Sequence, residues 1–176
     1  MTRLGLVSDT HKHIANLNRA IEFLKTLDVN MFIHLGDDYT DPEETGERDF
    51  LRVPGVFGEV YTDEKIPNRM IKNVAGWRLL LTHTITSHPN DLPGDPKPED
   101  LIRDRRVDVV LYGHTHLPEI RNEKGIIFLN PGHLKNEDKR GSPATFAFVE
   151  LTIDRMLARI YRLADYGVLT ESTFRR

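Results

Sequence analysis

The sequence predicts an α/β fold, one domain over residues 1–176, and three observations support this class. Short apolar and β-branched runs, typical of buried strands, recur along the chain, and a helical pattern follows the first of them. The length suits one domain. Four of the runs lead directly into aspartate or histidine, within residues 4–11, 31–38, 78–83 and 107–116. Because ligands of α/β proteins lie outside the carboxyl ends of the strands, we expect these side chains to share one rim.

Composition limits the kinds of site and partner. Hydrophobic residues make up 39% of the chain and charged residues 29%, which describes a soluble globular protein without a run near the roughly 20 apolar residues that span a membrane. The chain has no cysteine, so any metal must be held by Asp, Glu, His or Asn. A net charge of −3 offers no basic surface for a duplex, and we expect no long nucleic acid as partner. No secretory signal pattern opens the chain, so we expect a cytoplasmic protein.

A strand over residues 2–8 delivers Asp9 and His11. An amphipathic helix follows, and Asn16 is its expected N-cap. Because the cap position is filled by Asn16, Asp9 is interpreted as a ligand rather than as a capping residue. His13 is equally compatible with a place beside a bound phosphate and with the surface.

The second strand, over residues 31–35, ends at Asp37 and Asp38. Only one of these carboxylates need face a metal. His34 lies inside the strand, where we expect a buried histidine with satisfied hydrogen bonds. Residues 41–44 have the pattern of a short helix, with an acid, a proline and further acids at its start.

The middle of the chain predicts a strand over residues 53–57 and a hairpin over residues 69–82, whose second strand delivers His83. Residues 84–97 are rich in proline and polar residues and predict a long loop. A helix over residues 98–106 has acids at its start and bases at its end, as the helix dipole favours.

The histidine pair after the run at residues 107–112 is the strongest single feature. Gly113 frees the backbone to turn, and His114 and His116 stand at i and i+2, so an extended chain projects both imidazoles to the same side. Two neutral nitrogen ligands suit a transition metal. Either histidine alone would be an ordinary loop residue. The repetition of Asp and His after the other strands is what favours a metal site.

The last third predicts a hairpin over residues 120–129, then Asn130-Pro131-Gly132-His133, and two paired strands over residues 145–153 and 156–163. The tail, residues 164–176, carries no chemistry that we can identify. The late hairpins could present an edge for self-association, so a homo-oligomer is possible.

Four motifs, in this order and at this spacing, resemble those of the calcineurin-like metallophosphoesterases: Asp9-Thr10-His11, Gly36-Asp37, Thr82-His83 and Gly113-His114-Thr115-His116. The closest branch is that of the small single-domain bacterial and archaeal phosphodiesterases. The resemblance covers residues 2 to about 162. It implies a four-layer α/β/β/α sandwich, in which two mixed sheets pack face to face with helices outside.

The resemblance also implies a dinuclear metal site. The first metal would be held by Asp9, His11, Asp37 and His116. The second would take Asp37, His83, His114 and, if it substitutes for the asparagine of the family, Glu59. Two divalent ions, Mn first and Fe, Ni or Zn as alternatives, would hold a bridging hydroxide for in-line attack on a small phosphoester, with a diester preferred.

Several positions depart from the family pattern. If Glu59 points away, the second metal lacks a ligand. Val60 stands where many relatives carry the histidine that protonates the leaving group, so His133, or else His13, is the candidate proton donor. In relatives a second histidine commonly follows two residues after His83, and Ile85 stands there, so that His88 is either its substitute or a surface residue.

Other classes of protein fit less well. These departures point mildly to a scaffold of the same fold, such as the retromer subunit of eukaryotes, that binds proteins with little or no catalysis. The ligand-type residues that remain favour an enzyme, because unpaired buried charge is costly without a metal. A (β/α)₈ metal hydrolase needs about 250 residues, and the extra DNA-binding segments of related nucleases are not visible.

Overall fold

The computed structural model describes residues 1–47 and 49–176, and its strands form two sheets. The strands are β1 Thr2–Val7, β2 Met31–His34, β3 Phe50–Arg52, β4 Arg69–Val74, β5 Trp77–Thr82, β6 Val109–Leu111, β7 Glu119–Glu123, β8 Ile126–Asn130, β9 Thr145–Leu151, β10 Arg155–Arg162 and β11 Val168–Arg175. The α-helices are α1 Ile14–Lys25 and α2 Pro98–Arg103, and two 3₁₀ helices span Asp41–Glu44 and Glu59–Thr62.

Both sheets are mixed. The first has the order β11-β10-β9-β1-β2-β3, and β1, β2 and β3 run parallel while the remaining pairs are antiparallel. The second has the order β4-β5-β6-β8-β7, with β5, β6 and β8 parallel. Parallel neighbours end at the same edge, so β1 with β2, and β5 with β6, each bring two ligand-bearing loops together.

The core lies between the sheets, and one helix covers each outer face. Leu4 and Leu6 of β1 pack on alternate residues of β5, β6 and β8, as the two-residue period of a strand requires. The apolar face of α1, including Leu17 and Leu24, packs on the outer face of the first sheet, and Leu101 of α2 packs on that of the second. The expected α/β/β/α sandwich is thus confirmed. Along the described part of the chain, no helix has the length and apolar character needed to cross a bilayer.

Some element boundaries differ from the sequence prediction. Helix α1 begins after His13 rather than after Asn16, whose buried amide donates instead to the carbonyl of Leu134 (2.8 Å). Strand β3 lies three residues before the predicted strand, because its pairing with β2 places Phe50 opposite Phe32. Strand β11 was not predicted: it is an edge strand with five of its eight residues exposed, so no apolar alternation marks it.

Candidate metal centre

The loops that follow β1, β2, β5 and β6 meet at one edge of the sandwich. Hydrogen bonds from backbone amides hold these loops together within and between the sheets. The Asp9 amide donates to the carbonyl of Gly36 (2.9 Å), and the Gly113 amide donates to that of His83 (3.2 Å). The His114 amide donates to Asp9 Oδ2 (3.0 Å) and so links the second sheet to the first.

Four of the predicted ligands form one group. Asp9, His11, Asp37 and His116 each offer one ligand atom, and these atoms all lie within 4.8 Å of one another. His11 Nε2 is 3.4 Å from Asp37 Oδ2, and His116 Nε2 is 3.2 Å from both Asp9 Oδ1 and His11 Nε2. Carboxylate oxygens and imidazole nitrogens therefore converge on one point, which is a possible site for a metal ion.

A second group adjoins the first through Asp37. Its other oxygen, Oδ1, lies 3.3 Å from His83 Nε2, and His83 Nε2 lies 3.3 Å from His114 Nδ1. Asp37 is thus placed between two sets of imidazoles, with one carboxylate oxygen toward each.

Two of the histidines are held with Nε2 toward these groups. His83 Nδ1 lies 2.8 Å from the carbonyl of Leu35, and His116 Nδ1 lies 2.7 Å from Asp138 Oδ1. A neutral imidazole that donates from Nδ1 keeps its lone pair on Nε2, where a metal can take it. Sequence reasoning missed Asp138, because an acidic residue in a polar loop gives no signal of a partner 22 positions away.

The donor set fits a divalent cation. Asp9 Oδ1 is buried and accepts no hydrogen bond from the described residues, and a buried carboxylate oxygen left in this state is costly without a cation. Carboxylate and imidazole ligands together suit Mn, Fe, Ni or Zn. A cation coordinated by this oxygen would offset that cost.

The charges within the site shift several pKa values. Burial raises the pKa of Asp37, and the nearby Asp9 adds to this. Burial acts in the same direction on Asp9, but the contacts with His116, His83 and Ser8 outweigh it and hold its pKa at about 2. For His116, the carboxylate of Asp9 raises the pKa against the opposing effect of burial. Protons therefore compete with a metal for His116, and metal binding should weaken as the pH falls.

The backbone is strained where these side chains attach. Asp9, His11, Asp37, His114 and His116 have φ values of 51°, 46°, 57°, 68° and 61°, all in the left-handed region. Each such residue costs on the order of 1 kcal/mol or more, and residues of this kind cluster at functional sites. This strain supports a functional role independently of the distances between ligand atoms.

The structure does not bring Glu59 into either group. Its exposed side chain begins a 3₁₀ helix and lines a cavity of about 320 Å³ that also borders Asp37. The earlier end of β3 explains this position: Gly55, rather than Gly58, packs on Asp37, so closely that a Cβ on Gly55 would lie 1.9 Å from Asp37 Oδ1. The residue after Gly55 is Val56, which is buried and apolar.

The two candidate proton donors lie outside the ligand groups. His13 is half-buried at the N-cap of α1, where its side chain makes no capping hydrogen bond. His133 is fully buried; its Nε2 lies 3.0 Å from the carbonyl of Ser142, and its Nδ1 accepts from the Lys135 amide (3.1 Å). Both nitrogens of His133 are thus bound to main chain, which favours a role in holding this loop.

Fold and site together define a four-layer α/β/β/α protein with a metal-type site of Asp and His at one edge. A sequence model of the calcineurin-like phosphoesterase superfamily domain matches residues 2–154. The chain therefore belongs to the calcineurin-like phosphoesterase superfamily, and the resemblance found in its motifs is confirmed.

Individual relatives agree with this assignment. The chain is 31% identical over 137 residues to a probable metallophosphoesterase of Methanocaldococcus jannaschii, covering 73% of this chain and 66% of the relative, just under two thirds of its length. It is 25% identical over 147 residues to a phosphodiesterase of the same organism, covering 74% and 82%. Among solved structures, Vacuolar Protein Sorting 29 of Cryptosporidium parvum has a TM-score of 0.74 at 20% identity, covering 99% of this chain and 98% of that one. This last likeness shows the fold alone.

Proposed function

We propose that this protein is a dinuclear-metal phosphoesterase that hydrolyses small phosphodiesters. The observation that carries the proposal is the position of Asp37 between two groups of imidazoles, with one oxygen 3.4 Å from His11 Nε2 and the other 3.3 Å from His83 Nε2. A carboxylate in this position can be shared by two cations. The phosphodiesterase relative supports the preference for a diester.

The residues in hand would hold two ions. The first set is Asp9, His11, Asp37 and His116, and the second is Asp37, His83 and His114. Divalent ions bound there, with Mn as our first choice and Fe, Ni or Zn as alternatives, would supply Lewis acidity toward a phosphoryl oxygen and a more acidic water. Attraction and orientation of the substrate would depend on the side chains around these ions.

Lys12 supplies a positive charge at the mouth of the site. Its ammonium lies 3.2 Å from Asp41 and 3.4 Å from Asp38. Asp41 raises the pKa of Lys12, and Lys12 lines the same cavity as Asp37. We infer that this ammonium attracts the phosphate oxygens of a substrate as it enters. No serine or cysteine nucleophile is required, so we expect no covalent enzyme intermediate.

The test is hydrolysis of bis(4-nitrophenyl) phosphate and of 4-nitrophenyl phosphate by chelator-treated protein, with and without added Mn²⁺. Turnover should require the metal, favour the diester and fall by at least about 100-fold in Asp37→Asn, since removing one key electrostatic group commonly costs that much. Asp104→Asn, at an exposed position outside both ligand groups, is the matched control. Folded, metal-loaded protein that hydrolyses neither ester would refute the proposal.

One observation favours a second candidate, a metal-binding scaffold for other proteins. The second set contains three protein ligands rather than four, since Val56 follows the glycine that packs on Asp37. An incomplete set could bind a metal without supporting turnover. The same assay separates the two functions, because the scaffold predicts bound metal with no hydrolysis of either ester.

A further inference from the structure

A large aromatic side chain is exposed beside the second set of ligands. Phe57 is 76% exposed, although phenylalanine is usually buried. Its ring centroid lies 6.4 Å from that of His114 and 5.3 Å from that of His88, which it meets edge to face at 90°. The ring therefore offers a flat apolar surface at the site rather than to the core.

His88 is fixed in place by a buried network. Its backbone amide donates to Asp91 Oδ2 (3.0 Å), and Asp91 Oδ1 accepts from Arg69 (2.9 Å) and from the hydroxyl of Tyr61 (2.5 Å). The side chain of Arg69 is only 1% exposed, and a buried charge pair of this kind is hard to break. The loop that carries His88 is thus anchored to the body of the protein at the residues beside it.

Asn90 links this loop to the one that carries Phe57 and sets the tautomer of His88. Its side-chain amide donates to the carbonyl of Val56 (2.8 Å), and its backbone amide donates to His88 Nδ1 (3.2 Å). Because Nδ1 accepts a hydrogen bond, the ring carries its proton on Nε2. This is the opposite arrangement to that of His83 and His116, whose Nδ1 atoms face acceptors.

His88 and His114 line the same cavity, of about 240 Å³. A histidine that binds a metal through Nε2 needs a lone pair on that atom. His88 instead carries its proton on Nε2. Its position beside the second set of ligands therefore suits a hydrogen-bond donor toward a substrate.

We propose that Phe57 and His88 form the subsite for the leaving group of a phosphodiester whose leaving alcohol carries a planar aromatic ring. This inference rests on the proposed phosphodiesterase function. Phe57 packs against the ring, and His88 Nε2–H donates to the ester oxygen that departs. A water oxygen forms the new bond to phosphorus and releases a proton to solvent, while the bond to the leaving oxygen breaks and its electron pair stays on that oxygen. That oxygen then takes a proton from solvent, since His88 stabilises the developing charge and keeps its own proton.

The test for His88 uses methyl aryl phosphodiesters that differ only in the aryl leaving group, from 4-nitrophenyl to phenyl, with Mn²⁺-loaded protein. A phenyl oxygen carries more negative charge on leaving, so it depends more on a donor. We expect His88→Ala to lower kcat/KM by about 10-fold for 4-nitrophenyl and about 100-fold for phenyl, within the range seen when one donor is removed. His88→Gln, which keeps an N–H, should restore part of the loss for phenyl.

Three outcomes would overturn the role of His88. An equal loss on every leaving group would indicate a merely structural effect, and so would an absence of rescue by His88→Gln. A fall in bound Mn²⁺ per chain in His88→Ala, measured by elemental analysis after dialysis, would make His88 a metal ligand instead. If the wild-type protein hydrolyses none of the esters, the proposed function itself fails, which is a distinct result.

The test for Phe57 compares KM for substrates with and without an aromatic ring. Phe57→Ala should raise KM for the aryl esters by about 10-fold and leave KM for dimethyl phosphate unchanged, while Phe57→Leu should raise it less. A ring that is merely exposed to solvent would give no such selectivity. Equal changes of KM for the aryl esters and for dimethyl phosphate would overturn this role. Ile153→Ala, at another large apolar residue that is 75% exposed, is the matched control and should change neither KM.

Discussion

His116 Nδ1 lies 2.7 Å from Oδ1 of Asp138, whose side chain is only 3% exposed. This contact directs the opposite nitrogen of the imidazole into the first ligand group. We expect Asp138→Ala to weaken Mn²⁺ binding by about 10- to 100-fold, the usual cost of removing a carboxylate that orients a histidine ligand. Calorimetric titration of chelator-treated protein measures this. Glu137→Ala, at the exposed neighbouring residue, should bind normally, and an equal affinity in both variants would contradict the prediction.

Metal stoichiometry should distinguish Glu59 from His83. Glu59 is exposed and lies outside both ligand groups, whereas His83 is buried with Nε2 3.3 Å from Asp37. Glu59→Gln should therefore retain the wild-type number of Mn²⁺ ions per chain, and His83→Gln should lose about one. Elemental analysis after dialysis gives both numbers. Loss of an ion in Glu59→Gln would contradict this prediction and identify Glu59 as a ligand of the second ion.

The close approach of neighbouring atoms at Gly113 should make any larger residue at this position destabilising. A Cβ there would lie 2.0 Å from Ser8 Oγ and 2.8 Å from Asp9 Oδ2. Gly113→Ala should lower the free energy of unfolding by about 1–3 kcal/mol, as overpacking commonly does, when urea unfolding is measured in chelator. Gly94→Ala is the matched control, because nothing lies within 4 Å of its added Cβ. Equal free energies of unfolding in the two variants would contradict the prediction and show that the atoms around Gly113 can move to make room for a methyl group.

The stability of the metal-free protein should depend on pH through His34. Burial lowers the pKa of this fully buried residue from 6.5 to about 4. Between these values the unfolded chain binds a proton that the folded protein does not. The contribution of His34 to the free energy of unfolding is therefore fully present above pH 6.5 and is lost as the pH falls to about 4. The loss is about 3 kcal/mol, at about 1.4 kcal/mol per pKa unit. His34→Gln should flatten this part of the curve, and an unchanged slope would rule out His34 as its source.

The sequence predicts those parts of the fold and site that depend on local pattern. Asp9, Asp37 and His83 each come within three residues of the end of a strand that its apolar run predicts, so their place could be predicted without knowledge of the fold. Strand β3 was misplaced because its register is set by pairing of Phe50 with Phe32, which no local pattern encodes. The same shift explains why Glu59 was expected among the ligands.

Contacts between distant loops could not be predicted. Asp138 reaches His116 because the loop after β8 folds back over the site, held by hydrogen bonds of His133 to the main chain. The partner of Phe57, His88, likewise lies 31 positions away on a loop fixed by the buried Arg69. A single sequence shows which residues could take part in chemistry, but not which of them the loops bring together.

Each ligand group draws on both sheets. Asp9, His11 and Asp37 follow strands of the first sheet, and His114 and His116 follow a strand of the second. A cation bound here would link the two sheets, because neither sheet alone supplies the complete ligand set. During synthesis, the ribosome releases Asp9 early and His116 more than a hundred residues later, so both ligand sets are complete only after strands of both sheets have been made. Binding of metal during folding would then indicate that the two sheets have packed together.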